Sequence, residues 1–175
     1  SWIREVLTLR ILVVRNYKIG DFMLAWPSFS LLKLSSDCHI TALVPSYTEP
    51  LARICPWIDD VIVEPSDNDA QVPLLNTVKS ANFDAVICFF SNIENAWLVV
   101  RAGIRYRFAP ATKLAQFLYN YRLVQRRSRS EKPEYEYNLD LTKYFLQKFG
   151  FSAFPIKPPY LSFEEKQKIL SKEIL

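Results

Sequence analysis

Short apolar runs alternating with segments of helical period constrain this chain more than any other feature. The runs are "LRILVVR" (9–15), "HITALV" (39–44), "DVIV" (60–63), "DAVICFF" (84–90) and "IRYRFA" (104–109). Most are apolar throughout, as expected of strands buried on both faces, and none is long enough for a stable helix. Between them, residues 21–35, 47–55, 71–81 and 92–102 read as helices, the last closed by Gly103. Strands that alternate with helices require crossover connections, and therefore a parallel sheet covered on both faces. The fold expected is α/β, a Rossmann-like doubly wound parallel sheet of about five strands over residues 9–109.

Beyond residue 110 the alternation stops. "TKLAQFLYN" (112–120) reads as a short helix, followed by a basic loop and a longer helix over 134–149 that Gly150 caps. "FPIKPPY" (154–160) is extended. "SFEEKQKILSKEIL" (162–175) opens a further helix, with Ser162 as N-cap and Glu165 completing a capping box.

Half of the 175 residues are hydrophobic, which marks a packed domain rather than a disordered one. Glycine occurs only at Gly20, Gly103 and Gly150, so each is expected where backbone geometry demands it. Part of the net charge of +4 gathers in "YRLVQRRSRSEK" (121–132), where Arg122, Arg126, Arg127, Arg129 and Lys132 face one acid, Glu131. Such a stretch is either a site for an anionic partner or a solvated loop.

Cys38, Cys55 and Cys88 show no paired spacing and His39 is the sole histidine, which argues against zinc ligation and histidine-based triads. No metal site is expected. The thiols fit a reducing cytoplasmic compartment. Arg4, Glu5 and Arg10 break the N-terminal apolar stretch, and no run approaches the ~20 apolar residues of a bilayer span. The expectation is a soluble chain that can still work at a membrane surface, with no nucleic-acid partner.

The junction after the first strand, "RNYKIGDFMLAWP" (15–27), is where doubly wound folds place ligands. It lacks both the GxGxxG pattern and the phosphate-binding GxxxxGK[ST] loop. What remains is Gly20, which allows close approach of backbone to ligand, and Asp21, at or next to the N-cap of the first helix. An aspartate there is either a helix cap or a functional carboxylate. Lys18 and Arg15 flank the loop as anion-binding groups or ordinary solvated charges, and Asn16 and Tyr17 line the crevice or simply complete the turn.

"ILVVRNYKIGDFMLAWPSFSLLK" resembles the opening of glycosyltransferase family 9, the ADP-heptose:lipopolysaccharide heptosyltransferases. The resemblance continues through "HITALVPSYTEPLARICPWIDDVIV", "NFDAVICFFSNIENAWLVVRAGIRYRFA", "FLYNYR" and "EYEYNLDL", in the family's order. Two places depart from it: Cys88-Phe89-Phe90-Ser91 stands where many members have Asp-x-Gln, and Pro133 where many have histidine. The resemblance implies the N-terminal half of a two-domain GT-B enzyme. Residues 1–160 would be its acceptor-side domain, and 161–175 the start of a linker toward a nucleotide-sugar domain.

The implied reaction is inverting transfer of a heptose, or a related sugar, from an ADP-sugar to a lipid-linked saccharide acceptor of the lipopolysaccharide core. It needs no cofactor, and the donor is held mainly by the other domain. Asp21 would be the base. Gly20, Lys18, Asn16, Arg126, Arg127 and Arg129 would bind substrate, at the cytoplasmic face of the inner membrane. Alternatives are a non-catalytic anion- or nucleotide-binding module of flavodoxin type and a degenerate scaffold domain.

Overall fold

The computed structural model describes residues 8–14, 18–67 and 70–157. Six parallel strands form one sheet: β1 (Leu9–Val14), β2 (Cys38–Pro45), β3 (Asp60–Glu64), β4 (Ala85–Cys88), β5 (Tyr106–Pro110) and β6 (Tyr121–Leu123). Their order is β3-β2-β1-β4-β5-β6, which reverses direction between β1 and β4. Among the described residues there are five α-helices: α1 (Ile19–Ser35), α2 (Glu49–Ile54), α3 (Gln71–Ser80) and α4 (Ile93–Arg101) connect successive strands from β1 to β5, and α5 (Glu134–Lys148) follows β6. The doubly wound parallel sheet expected from the alternation is therefore present, with one strand more than anticipated.

The apolar runs are continuous because each strand feeds two cores. Ile11, Val13, Ile40, Ala42, Val44, Ala85, Ile87 and Phe108 face the layer of α1, α2 and α5. Leu12, Val14, Leu43, Val86, Cys88 and Ala109 alternate with them and face α3 and α4. Helix α1 is buried on every side from Ala25 to Leu32, between the sheet and α5, so the usual polar face is missing there.

Several boundaries differ from the sequence expectation. Helix α1 starts at Ile19 rather than residue 21, which makes Pro27 its ninth residue, deep in the helix rather than in its first turns. The short helix expected over 47–55 is a 3₁₀ turn, Ser46–Thr48, followed by α2. The one expected over 112–120 is a 3₁₀ turn, Leu114–Leu118, and the basic loop contains β6 and a second such turn, Arg127–Arg129. The helix expected from Ser162 lies outside the described residues.

One local device recurs at the amino end of the sheet. Asp59, one residue before β3, accepts the N–H of Ile40 on β2 at 2.7 Å and gives its own N–H to the Ile40 carbonyl at 2.9 Å. Asp84, one residue before β4, exchanges the same pair of bonds with Arg10 on β1, both at 2.8 Å. Asn120, one residue before β6, accepts from the Arg107 N–H of β5 at 2.7 Å and donates to the Arg105 carbonyl at 2.6 Å. Each side chain extends the strand ladder past its last backbone pair.

Asp59 also receives the ammonium of Lys33, at the end of α1, at 2.5 Å. Burial alone would raise its carboxyl, but the Lys33 and Ile40 donors outweigh that and hold it below the ordinary carboxylate range. A depressed carboxyl contributes stability that is complete above its unfolded pKa and lost as pH falls through its folded one. Asp59→Asn keeps an acceptor for Ile40 but loses the charge facing Lys33. Allowing for partial exposure, it should lower unfolding stability by about 1 kcal/mol at neutral pH, and by progressively less below the carboxylate range. Denaturant melts of both proteins across pH test this; a constant difference down to pH 2 would contradict it.

Candidate functional site

The switch in strand order places the carboxyl ends of β1 and β4 side by side, with the ladder extended by the Phe89 N–H bonded to the Val14 carbonyl at 3.3 Å. Helix α1 begins directly above this point. Its N-cap residue is Lys18, with extended ψ and no side-chain capping bond. Asp21 is the third residue of the helix, and the backbone N–H groups of Asp21 and Phe22 both bond to the Lys18 carbonyl, at 2.9 and 3.2 Å. The aspartate is therefore in the first turn, at the third helical position rather than at or next to the N-cap. It is half-buried, while Lys18, Ile19 and Gly20 around it are exposed. A carboxylate in this position faces the positive end of the helix dipole. Asn16 lies outside the described residues, as do Arg15 and Tyr17.

Gly20 does not match the expectation that each glycine answers a backbone demand. Gly103 and Gly150 do, with φ of 75° and 77° after α4 and α5. Gly20 is helical, and a methyl group built on it would meet nothing within 4 Å. Nothing in the described protein requires glycine there. Gly20→Ala should accordingly raise unfolding stability by up to about 0.5–1 kcal/mol. If it also lowers activity, the missing side chain serves a ligand, and thermal melts paired with turnover separate the two effects. Unchanged activity would remove Gly20 from the site.

The structure does not gather Arg126, Arg127 and Arg129 into one basic patch. Arg127 turns inward: it bonds the Gln125 side-chain oxygen at 3.0 Å and the Asn138 oxygen at 3.4 Å, and pairs with Glu134 at 3.3 Å. Arg129 is exposed and approaches Glu131 at 3.9 Å. Arg126 alone lines a cleft of about 460 Å³ beside α5, together with Lys132, Tyr137, Asp140, Lys143 and Tyr144. Lys132 pairs with Asp140 across that cleft.

Asn138, within the stretch "EYEYNLDL" that resembles the family's late motif, is fully buried in α5. Its amide nitrogen donates to the Leu24 carbonyl of α1 at 3.1 Å. Pro27 has no N–H for the helix ladder in the turn that holds Met23 and Leu24. Asn138 supplies a bond to that same turn, and so ties the helix carrying Asp21 to α5 and, through Arg127, to the basic loop.

Other polar groups at the carboxyl end were not anticipated. Thr48 after β2, Ser91 after β4 and Asn95 in the first turn of α4 are buried with a side-chain atom lacking a hydrogen-bond partner among the described residues. Asn92 caps α4 by accepting the Asn95 N–H at 2.7 Å. The signal for Ser91, Asn92 and Asn95 was present in "FFSNIENA", where polar residues follow directly on a buried strand. The Cys88 thiol beneath them is pushed up to about 12 by burial, so it packs as an apolar group rather than acting as a nucleophile. Among the described residues there is no cluster of three metal-ligating side chains, and no helix long and apolar enough to cross a membrane.

No protein-family model matches the chain. A curated protein of Haemophilus influenzae (strain ATCC 51907 / DSM 11121 / KW20 / Rd), described as "Putative glycosyltransferase", is 53% identical over 173 residues, which are 95% of this chain and 50% of that protein. The chain thus spans about half the length of the curated relative it matches. Among solved structures, E. coli heptosyltransferase WaaC with ADP superposes with a TM-score of 0.73 at 17% identity, over 93% of this chain and 53% of that one. The glycosyl transferase family 9 protein of Veillonella parvula DSM 2008 does so with a TM-score of 0.68 at 18% identity, over 95% of this chain and 50% of that one. E. coli ADP-heptose lps heptosyltransferase II gives 0.67 at 19% identity, over 77% of this chain and 40% of that one. The resemblance to glycosyltransferase family 9 carried by the sequence is therefore matched on both sides, by a relative described as a glycosyltransferase and by the fold of one Rossmann-like half of a family 9 enzyme.

Proposed function

We propose that this chain is the acceptor-side half of an inverting glycosyltransferase that moves a heptose, or a related sugar, from an ADP-sugar to a lipid-linked lipopolysaccharide core acceptor. The observation that carries the reading is Asp21: a half-buried carboxylate at the third position of the helix leaving the sheet's switch point. The acceptor hydroxyl attacks the anomeric carbon, the bond from that carbon to the diphosphate breaks, and ADP leaves with the bonding pair. The hydroxyl proton passes to Asp21. A carboxylate is a weak base toward a free alcohol, but it accepts the proton late, once the attacking oxygen has become acidic.

Gly20 leaves room for the acceptor beside the carboxylate, and the exposed Lys18 adds positive charge where an anionic acceptor would lie. Arg126 remains available for acceptor contact. Arg127 acts by holding α5 and the loop together rather than by meeting substrate. The donor's nucleotide belongs to the other half of the protein, and the site of action is the cytoplasmic face of the inner membrane.

The test is transfer from ADP-heptose to a core acceptor by the protein expressed from its full open reading frame, with product anomer determined by NMR. Transfer with inversion is expected. Absence of transfer from any ADP-sugar, with micromolar ADP affinity in the 175-residue chain by itself, would overturn the reading in favour of a nucleotide-binding module.

A further inference from the structure

The most exposed large apolar side chains among the described residues are Leu114, Val124 and Phe117, at 80%, 74% and 70%. All lie within one short stretch of chain. Residues 112–130 contain Lys113, Arg122, Arg126, Arg127 and Arg129 and no acidic residue. Leu114 and Phe117 are three apart in a 3₁₀ turn, where such positions eclipse and project to the same side. The other side of that turn is committed to the core through Ala115 and Leu118. The Arg122 guanidinium lies over the Phe117 ring, 5.6 Å from its centroid. Val124 follows Arg122 by two residues, just past the edge strand β6.

We infer that this surface is a docking site for an anionic lipid headgroup layer, with Leu114 and Phe117 entering the interface and Lys113 and Arg122 meeting the headgroups. Apolar side chains flanked by cations, on a stretch of chain without acids, suit a layer that is apolar below and negative above. A second copy of this chain fits poorly, because a two-fold interface would set the same cations against one another. The patch lies at the β6 edge, with Lys113 reaching back to within 5.9 Å of the centroid of the Phe90 ring, just past β4. The inference does not rest on the reaction assigned to Asp21, and its test uses no substrate.

The experiment is flotation of the protein with phosphatidylcholine vesicles, with and without phosphatidylglycerol, at low and high salt. Binding should require phosphatidylglycerol and weaken as salt rises. The pair Lys113→Glu and Arg122→Glu should lower binding to phosphatidylglycerol vesicles about tenfold or more. The pair Leu114→Ser and Phe117→Ser should lower it comparably at high salt, where the apolar contribution dominates. All four side chains are exposed, so thermal melts should stay near the parent's, and a variant that fails to fold is replaced by the matching single substitution. Equal binding by parent and both paired variants would overturn the proposal. So would light scattering that shows Leu114→Ser/Phe117→Ser converting a dimer to monomers, or greater amide protection of 113–118 in the vesicle-free full-length product than in the 175-residue chain, since either assigns the surface to another occupant.

Discussion

Asp21→Asn, in the protein expressed from its full open reading frame, should lower kcat by about 10²- to 10⁴-fold while leaving the fold nearly as stable as before. Asparagine keeps the size of the side chain and its acceptor oxygen but cannot take up the acceptor's proton. The loss corresponds to about 3–5 kcal/mol in the transition state. The stability change includes the lost attraction between a carboxylate and the first turn of α1, typically 0.3–1 kcal/mol. The two effects differ enough to be read separately, from single-turnover rates and from denaturant melts. Turnover near the parent rate would mean that Asp21 is not the base.

Asn138→Ala should destabilise the domain by about 2–3 kcal/mol. Alanine leaves the Leu24 carbonyl without its 3.1 Å donor and the Arg127 guanidinium without its 3.4 Å acceptor, both inside the α1–α5 interface. It also opens a small void at a fully buried position. The loss should show as faster amide exchange in the turns of α1 around Leu24, beyond what the global change explains. In the active protein, a looser α1 should lower kcat more than it raises KM, since it moves Asp21. A change below about 0.5 kcal/mol would show that the bond is dispensable.

Five strands were legible because burial on both faces leaves a continuous apolar run, and β1, β2 and β4 alternate residue by residue between the two cores. The sixth was not, because Tyr121–Leu123 is three residues long and carries an arginine on an open edge. The basic stretch was legible as charge but not as geometry. Nothing in "QRRSR" tells that Arg127 turns toward Asn138 while Arg126 faces a cleft, because the partner sits eleven positions further on.

The motifs that suggested the family are largely scaffold. In "PWIDD", "NFDAV" and "FLYNYR" the residues Asp59, Asp84 and Asn120 bond strand ends on the side of the sheet opposite Asp21. A sequence clue existed for them, a single Asp or Asn directly before each run, though the same pattern also describes an ordinary turn.

Those three side chains have a further consequence, for how the sheet is assembled. A parallel strand that slips by one residue still finds backbone partners, but it turns every core side chain to the wrong layer. Asp59, Asp84 and Asn120 each recognise one particular N–H on the neighbouring strand, so a slipped β3, β4 or β6 would leave a ladder end facing a mismatched group. They act as registration marks. The pairing of β1 with β4 joins segments separated by most of the domain's connections, and there Asp84 and Arg10 penalise misalignment at the first rung, before the hydrophobic layers have closed over the sheet.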